Sequence, residues 1–296
     1  MTVYPLMRYK LYFAAVLGAV TVFAFVAVFI LGLNFGIEFE GGVRAEIKLN
    51  ESATASDVRR TVADAGVADS VIQPAGEGVF VITAAEMTDA QFDQIVAALN
   101  TEFGAEKTAT GIERVGPSFG AETGQKALIA ILVSIAVIII YISWRFEYKF
   151  AFPAIVALVH DVGLTLGVYA ATGRLVTTAT VAALLTILGY SVNDTIIVFD
   201  RIRENTLYMK KESYGSMVDL SIRQTLARSL NTALTTLLPI GAILLFGGAT
   251  LKDFAFALFI GIASGGYSSM FVASPLLVMW KEREPRYRKR ALAERS

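Results

Sequence analysis

Ionisable side chains inside apolar stretches are the residues of this sequence best suited to chemistry. Asp161 sits about halfway along one apolar run, beside His160, the chain's single histidine. Asp194 lies toward the far end of a second run, within Gly-Tyr-Ser-Val-Asn-Asp-Thr at 189–195, and Arg228 opens a third. A charged group at mid-helix costs roughly 2.5–3.5 kcal/mol on insertion scales, so such residues usually face a bundle interior and often mark ion or proton paths. Short polar residues surround them: Tyr190, Ser191, Asn193, Asn231, Thr232, Thr235 and Thr236. Helical spacing puts Ile187, Ser191, Asp194 and Val198 on one face, and Arg228, Asn231, Thr232 and Thr235 on another. These two faces predict a hydrogen-bonded seam between neighbouring helices.

The chemistry open to this set is proton transfer. If the helices move, Asp194 can alternate between a neutral form and a form paired with Arg228, taking a proton on one side and releasing it on the other. Each charge crossing about 100 mV supplies roughly 2.3 kcal/mol. The alternative is a static Asp194–Arg228 pair that locks two helices together. The same two readings stand for Asp161 and His160, where the histidine can simply hydrogen-bond across the bundle. Other chemistries are poorly served. There are no cysteines and one histidine, so disulfides and thiolate or multi-histidine metal sites are excluded within this chain. No G-x-x-x-x-G-K-[ST], G-x-S-x-G or H-E-x-x-H motif occurs; Gly-Ala-Glu-Thr-Gly-Gln-Lys at 120–126 lacks the spacing and the hydroxyl residue. The expectation is a non-enzyme without cofactor, driven by protons as coupling ion rather than by ATP bound to this chain.

The elements that must position these residues are membrane helices. Of the 296 residues 55% are hydrophobic and 18% charged, against about 45–50% and 25% in soluble domains. The formal net charge of zero gives no sign of a nucleic-acid partner. The first apolar run, Leu11–Leu33, follows Arg8 and Lys10. It exceeds the roughly 7–15 residues of a signal-peptide core, so it reads as an uncleaved anchor. Six runs reach the ~20 residues needed to span, near 11–33, 126–144, 151–171, 175–199, 229–247 and 254–279. The expected organisation is a cytoplasmic N-terminus and first helix (1–33), an extracytoplasmic domain (34–125), a five-helix block (126–280) and a basic cytoplasmic tail (281–296).

Lysine and arginine set the orientation. Arg8, Lys10, Arg145, Lys149, the many basic residues of 200–228 and the basic tail fall on one side, against only Arg174 and Lys252 in short loops on the other. Both termini are therefore expected in the cytoplasm. The outer domain reads β-α-β-β-α-β, with strands at 42–49, within 70–84 on either side of a Pro-Ala-Gly-Glu-Gly turn, and at 108–116. Its helices are 56–66, capped by Ser56 and stopped by Gly66, and 88–104, with a Thr88/Gln91 capping box. That order predicts a small ferredoxin-like α+β domain. The cytoplasmic loop 200–228 predicts an amphipathic surface helix through Met217, Leu220, Ile222 and Leu226. Asp200, Arg201, Arg203, Glu204 and Asn205 fall at the cytoplasmic boundary, where charge is cheap. Gly163/Gly167 and Gly261/Gly265 predict close helix contacts, and Pro239 a kink.

Several of these stretches resemble the SecF family, a membrane subunit of bacterial SecDF related to the RND transporter superfamily. Gly-Leu-Asn-Phe-Gly-Ile-Glu-Phe-Glu-Gly-Gly (32–42) resembles its motif at the entry to the outer domain, with Glu38 and Glu40 where the family has Asp and a small residue. Ala-Leu-Val-His-Asp (157–161), 189–205, 226–238 and Leu-Phe-Gly-Gly (245–248) resemble further family stretches. The resemblance covers nearly the whole chain. It implies an RND-like half of six helices, with Asp194 as proton-pathway aspartate and Arg228 as transmembrane arginine. It also implies a partner SecD supplying the other half, action beside the SecYEG channel with SecA and YajC as associates, preprotein as cargo, and a location in the inner membrane among its lipids. The implied function is proton-motive-force-driven promotion of late translocation. A small-molecule exporter half and a passive SecD scaffold are the competing functions.

Overall fold

The computed structural model describes residues 5–50, 53–76, 78–105, 111–209 and 212–287. Residues 108–110 of the last expected strand, Lys210 and Lys211, and 288–296 of the expected tail lie outside them. A 3-10 turn, Leu6–Tyr9, leads into α1 (Lys10–Leu31). A two-residue strand β1 (Asn34–Phe35) and the single turn α2 (Ile37–Glu40) then enter an α+β domain, expected to lie outside the membrane.

That domain comprises β2 (Gly42–Lys48), α3 (Ala55–Asp64), β3 (Ser70–Gly76), β4 (Val79–Ala84), α4 (Asp89–Phe103) and β5 (Gly111–Val115). The strands form an antiparallel sheet in the order β3-β4-β2-β5. Alternation explains its single core. Val43, Ala45 and Ile47 point to one face of β2 and meet Val58 and Val62 of α3 and Ile95, Val96 and Leu99 of α4. Arg44 and Glu46 point the other way. The Thr88/Gln91 capping box forms as expected. The cap of α3 is Thr54, paired with Asp57, rather than Ser56: threonine two residues earlier places an acid at N3, which completes a reciprocal box.

Six helices among the described residues are long and apolar enough to cross a membrane. After α1 come α5 (Pro117–Arg145), α6 (Tyr148–Thr172), β6 (Leu175–Val176), α7 (Thr178–Tyr208), α8 (Tyr214–Phe246) and α9 (Ala249–Ser268). A π-helical turn, Ser269–Ala273, then joins α9 to α10 (Ser274–Lys281). The chain is thus a polytopic helical membrane protein. β6 pairs in parallel with β1, tying the α6–α7 turn to the domain entry.

One expectation changes. Among the described residues of 200–228 no separate surface helix forms: α7 runs on to Tyr208 and α8 begins at Tyr214. At 1.5 Å per residue the 31 residues of α7 rise ~46 Å, well past a ~30 Å hydrocarbon core. Extending a formed helix is easier than nucleating a new one. Met217 and Ile222 of the expected stripe are buried, while Leu220 and Leu226 are partly exposed. Helix α8 carries Pro239 in its interior. The last span contains the π turn, where the Ser274 amide donates to the Ser269 carbonyl, the i→i+5 bond of that geometry.

Small residues set the helix contacts, as expected. A Cβ on Gly167 would lie 2.7 Å from the Ala24 Cβ of α1, and one on Gly261 would lie 2.2 Å from Ile187 of α7. The double glycine at the domain entry has the same logic. Gly41 and Gly42 have φ of +78° and +128°, and a Cβ on Gly41 would stand 2.8 Å from the Pro117 backbone. Only glycine allows both the turn and the approach of α5.

Candidate functional site

The core of the membrane block contains two carboxylates held by hydroxyls. Asp161 of α6 is fully buried and Asp194 of α7 is 6% exposed. Ser191 of α7 donates to Asp161 Oδ2 at 2.6 Å, Ser264 of α9 to Oδ1 at 2.5 Å, and Ser268 to Oδ2 at 2.8 Å. Ser229 of α8 donates to Asp194 Oδ1 at 2.5 Å, and Ser269 donates to Oδ2. Each carboxylate therefore joins several helices: α6, α7 and α9 at Asp161, and α7, α8 and the π turn at Asp194.

The local reasons are geometric. Ser191 and Asp194 share a face of α7, three residues apart, so one helix supplies a donor to the first carboxylate and is itself the second. Ser268 and Ser269 are consecutive, yet serve different carboxylates. They stand where α9 passes into the π turn, a feature common at functional sites. Small side chains let these helices approach: a Cβ on Gly265 would lie 3.3 Å from Ser191. All the donors named are neutral hydroxyls, and no cation closes either site among the described residues.

His160 faces a different side of α6 from Asp161. Its Nδ1 lies 2.6 Å from Thr21 Oγ1 of α1, and its Nε2 lies 2.9 Å from the Tyr267 hydroxyl. Thr21 already donates its proton to the Leu17 carbonyl at 2.8 Å. With Thr21 donating to Leu17, Nδ1–H can donate to Thr21 and Nε2 can accept from Tyr267. This network fits neutral imidazole and links α1, α6 and α9.

The Asp194–Arg228 pairing is not made in this arrangement. Arg228 is exposed and does not reach the carboxylate; Ser229 does. Consecutive residues of an α-helix point about 100° apart, so placing Ser229 inward turns Arg228 outward. The packed face of α8 is Ser229, Ala233 and Ile240. Asn231 and Thr235 are exposed with Arg228, and Thr232 is half-buried; their hydroxyls bond to their own helix backbone. Ser191 does lie in the seam, Tyr190 is half-buried beside it, and Asn193 is exposed.

At the other end of α7, Asp200 pairs with Arg145 at 3.3 Å and with Arg203 at 3.8 Å, and Arg201 with Glu204 at 2.6 Å. Asn205 donates to Ser221 and Gln224 of α8, both at 2.8 Å. Ser229, Ser264, Ser268 and Ser269 were not predicted. For the last three the signal was the run Ala-Ser-Gly-Gly-Tyr-Ser-Ser at 263–269, a polar patch inside an apolar span.

Comparison with known proteins agrees with this anatomy. The family model described as protein export membrane protein SecD/SecF, C-terminal, matches residues 95–283, and the SecD/SecF GG motif matches 26–53. Protein translocase subunit SecF of Desulfurispirillum indicum is 38% identical over 96% of this chain and 95% of its own. Protein translocase subunit SecDF of Thermus thermophilus is 39% identical over 86% of this chain but 36% of its own length. A crystal structure of SecDF from that organism, described as a translocon-associated membrane protein, matches with a TM-score of 0.87 at 36% identity, over 95% of this chain and 39% of that one. With helices, double-glycine turn and nearly full-length similarity in agreement, this chain belongs to the SecD/SecF family of protein export membrane proteins.

Proposed function

We propose that this chain is the SecF subunit of a Sec protein-export machinery and that, with SecD, it uses the proton motive force to promote late preprotein translocation. The observation that carries the coupling is the pair of buried carboxylates bound, among the described residues, only by serine hydroxyls. A hydroxyl can donate to an ionised carboxylate or accept from a protonated one, so the sites tolerate both states without a resident cation. Asp194 is the proton carrier. Asp161 and His160 lie on the same route, and Arg228 is the counter-charge that meets Asp194 only when α7 and α8 move.

The relatives named SecF and the fused SecDF support SecD as partner. The outward face of α8, with Arg228, Asn231, Thr232 and Thr235, is available for a second half of this kind. In this reading the chain works beside SecYEG, with SecA and YajC as associates, in the inner membrane with both termini cytoplasmic. The strand order β3-β4-β2-β5, with both helices on one face, supports a ferredoxin-like outer domain. One observation favours a static role instead: every oxygen of both carboxylates is bonded to a serine from another helix. Asp194→Asn separates the two. The proton-carrier reading expects an intact complex with SecD and lost stimulation of export. Full export by the variant sinks it, and a complex that falls apart favours the lock.

A further inference from the structure

The short loops on the side of the bundle bearing the outer domain carry only Arg174 and Lys252 as basic residues. Chain topology does not call for cations there. The fold brings both to one cavity, of about 220 Å³, and adds Arg44 from the helix-free face of the outer sheet. Gln73 of β3 also lines it and donates to the Gly173 carbonyl at 3.1 Å, fixing the sheet above the α6–α7 turn.

The charge there is unbalanced. Arg174 is neutralised by Asp253 at 2.5 Å and lies over the Phe256 ring at 4.2 Å. Arg44 and Lys252 are half-buried and form no salt bridge among the described residues, although Glu113 of β5 stands opposite Arg44 in the sheet. Two cations outside any salt bridge on a cavity wall make an anion site, with the guanidinium offering paired donors and the ammonium a point charge. Thr172, on the same wall, marks the end of α6, and Lys252 lies in the first turns of α9. Where apolar helices end is the level of lipid headgroups.

We propose that this cavity binds the phosphodiester of an anionic lipid headgroup, joining the outer domain to the membrane helices through Arg44 and Lys252. Full-length protein in a neutral detergent is titrated with short-chain phosphatidylglycerol, with short-chain phosphatidylcholine and with inorganic phosphate, and thermal stabilisation is read. Phosphatidylglycerol gives a saturable rise and phosphatidylcholine does not. With each basic residue worth about fivefold, the double variant Arg44→Gln/Lys252→Gln needs about 25-fold more phosphatidylglycerol. The charge-keeping double variant Arg44→Lys/Lys252→Arg stays within about fivefold of wild type. A control removing two exposed charges elsewhere, Arg283→Gln/Arg286→Gln, changes nothing. Wild-type binding by the Gln variant, equal loss in the control, or equal loss in the charge-keeping variant overturns the site. Saturation by inorganic phosphate at the same concentrations overturns the lipid as its source and assigns the site to free phosphate.

Discussion

Removing the Ser229 hydroxyl tests which group holds Asp194. The bond is 2.5 Å long and buried, and Arg228 does not reach the carboxylate. A hydrogen bond to an ionised group is worth about 1.5–3 kcal/mol, whereas neutral interhelical bonds in membranes average about 0.6 kcal/mol. A double-mutant cycle of Asp194→Ala with Ser229→Ala, read by unfolding of the full chain in detergent, therefore reports the bond. An ionised carboxylate gives a coupling of ~1.5–3 kcal/mol and a neutral carboxyl one of ~0.6 kcal/mol. A parallel cycle with Arg228→Gln is expected to be additive within about 0.5 kcal/mol. Coupling to Arg228 that exceeds coupling to Ser229 refutes the arrangement described. Coupling to Ser229 near zero refutes the hydrogen bond itself.

Other consequences follow from packing and charge. Gly167→Leu forces side-chain atoms into Ala24 of α1 and is expected to cost about 1–3 kcal/mol, lowering the thermal midpoint. Gly41→Ala meets the Pro117 backbone at 2.8 Å and must hold φ near +78°, so a loss of at least about 1 kcal/mol is expected, with greater proteolysis between the outer domain and α5. Asp57 is held below its ordinary value of 3.8, first by the Thr54 hydroxyl and then by the Thr54 amide. A depressed folded-state value means the cap's contribution is present above about 4 and is lost as pH falls through the lower value. Amide protection across 55–64, taken relative to the intrinsic exchange rate at each pH, should therefore fall in acid, and Asp57→Asn should remove that dependence.

Much of this was written in the sequence, because burial in lipid leaves a one-dimensional mark. Apolar runs gave the six spans, and glycines at four-residue spacing marked α6 and α9 as sites of close helix contact, though not α1 and α7 as their partners. Alternation and turn residues gave the strand and helix order of the outer domain. Asp161 and Asp194 were visible because a carboxylate in an apolar run is costly. Their partners were harder. Serine is inexpensive in a membrane helix and common at helix contacts, so Ser229, Ser264, Ser268 and Ser269 did not stand out one at a time. Arg228 drew attention by its charge, but the rotation of α8 about its axis is set by packing of Ala233 and Ile240, which a face diagram of one helix cannot supply. The π turn at Ser269–Ala273 adds a residue to a turn and leaves no residue-type signature. The uninterrupted passage of α7 past Asp200 was hidden because charge marks where the membrane ends, not where the helix does.

Proton flux through the reconstituted complex with SecD tests the central claim most directly. Proteoliposomes carrying an imposed potential and an interior pH dye would be compared for wild type and Asp194→Asn, with complex integrity checked in the same preparation. A proton-carrying Asp194 predicts flux in the wild type and loss of it in an intact Asn complex, since an amide cannot exchange a proton in this range. Undiminished flux through an intact Asp194→Asn complex would contradict it.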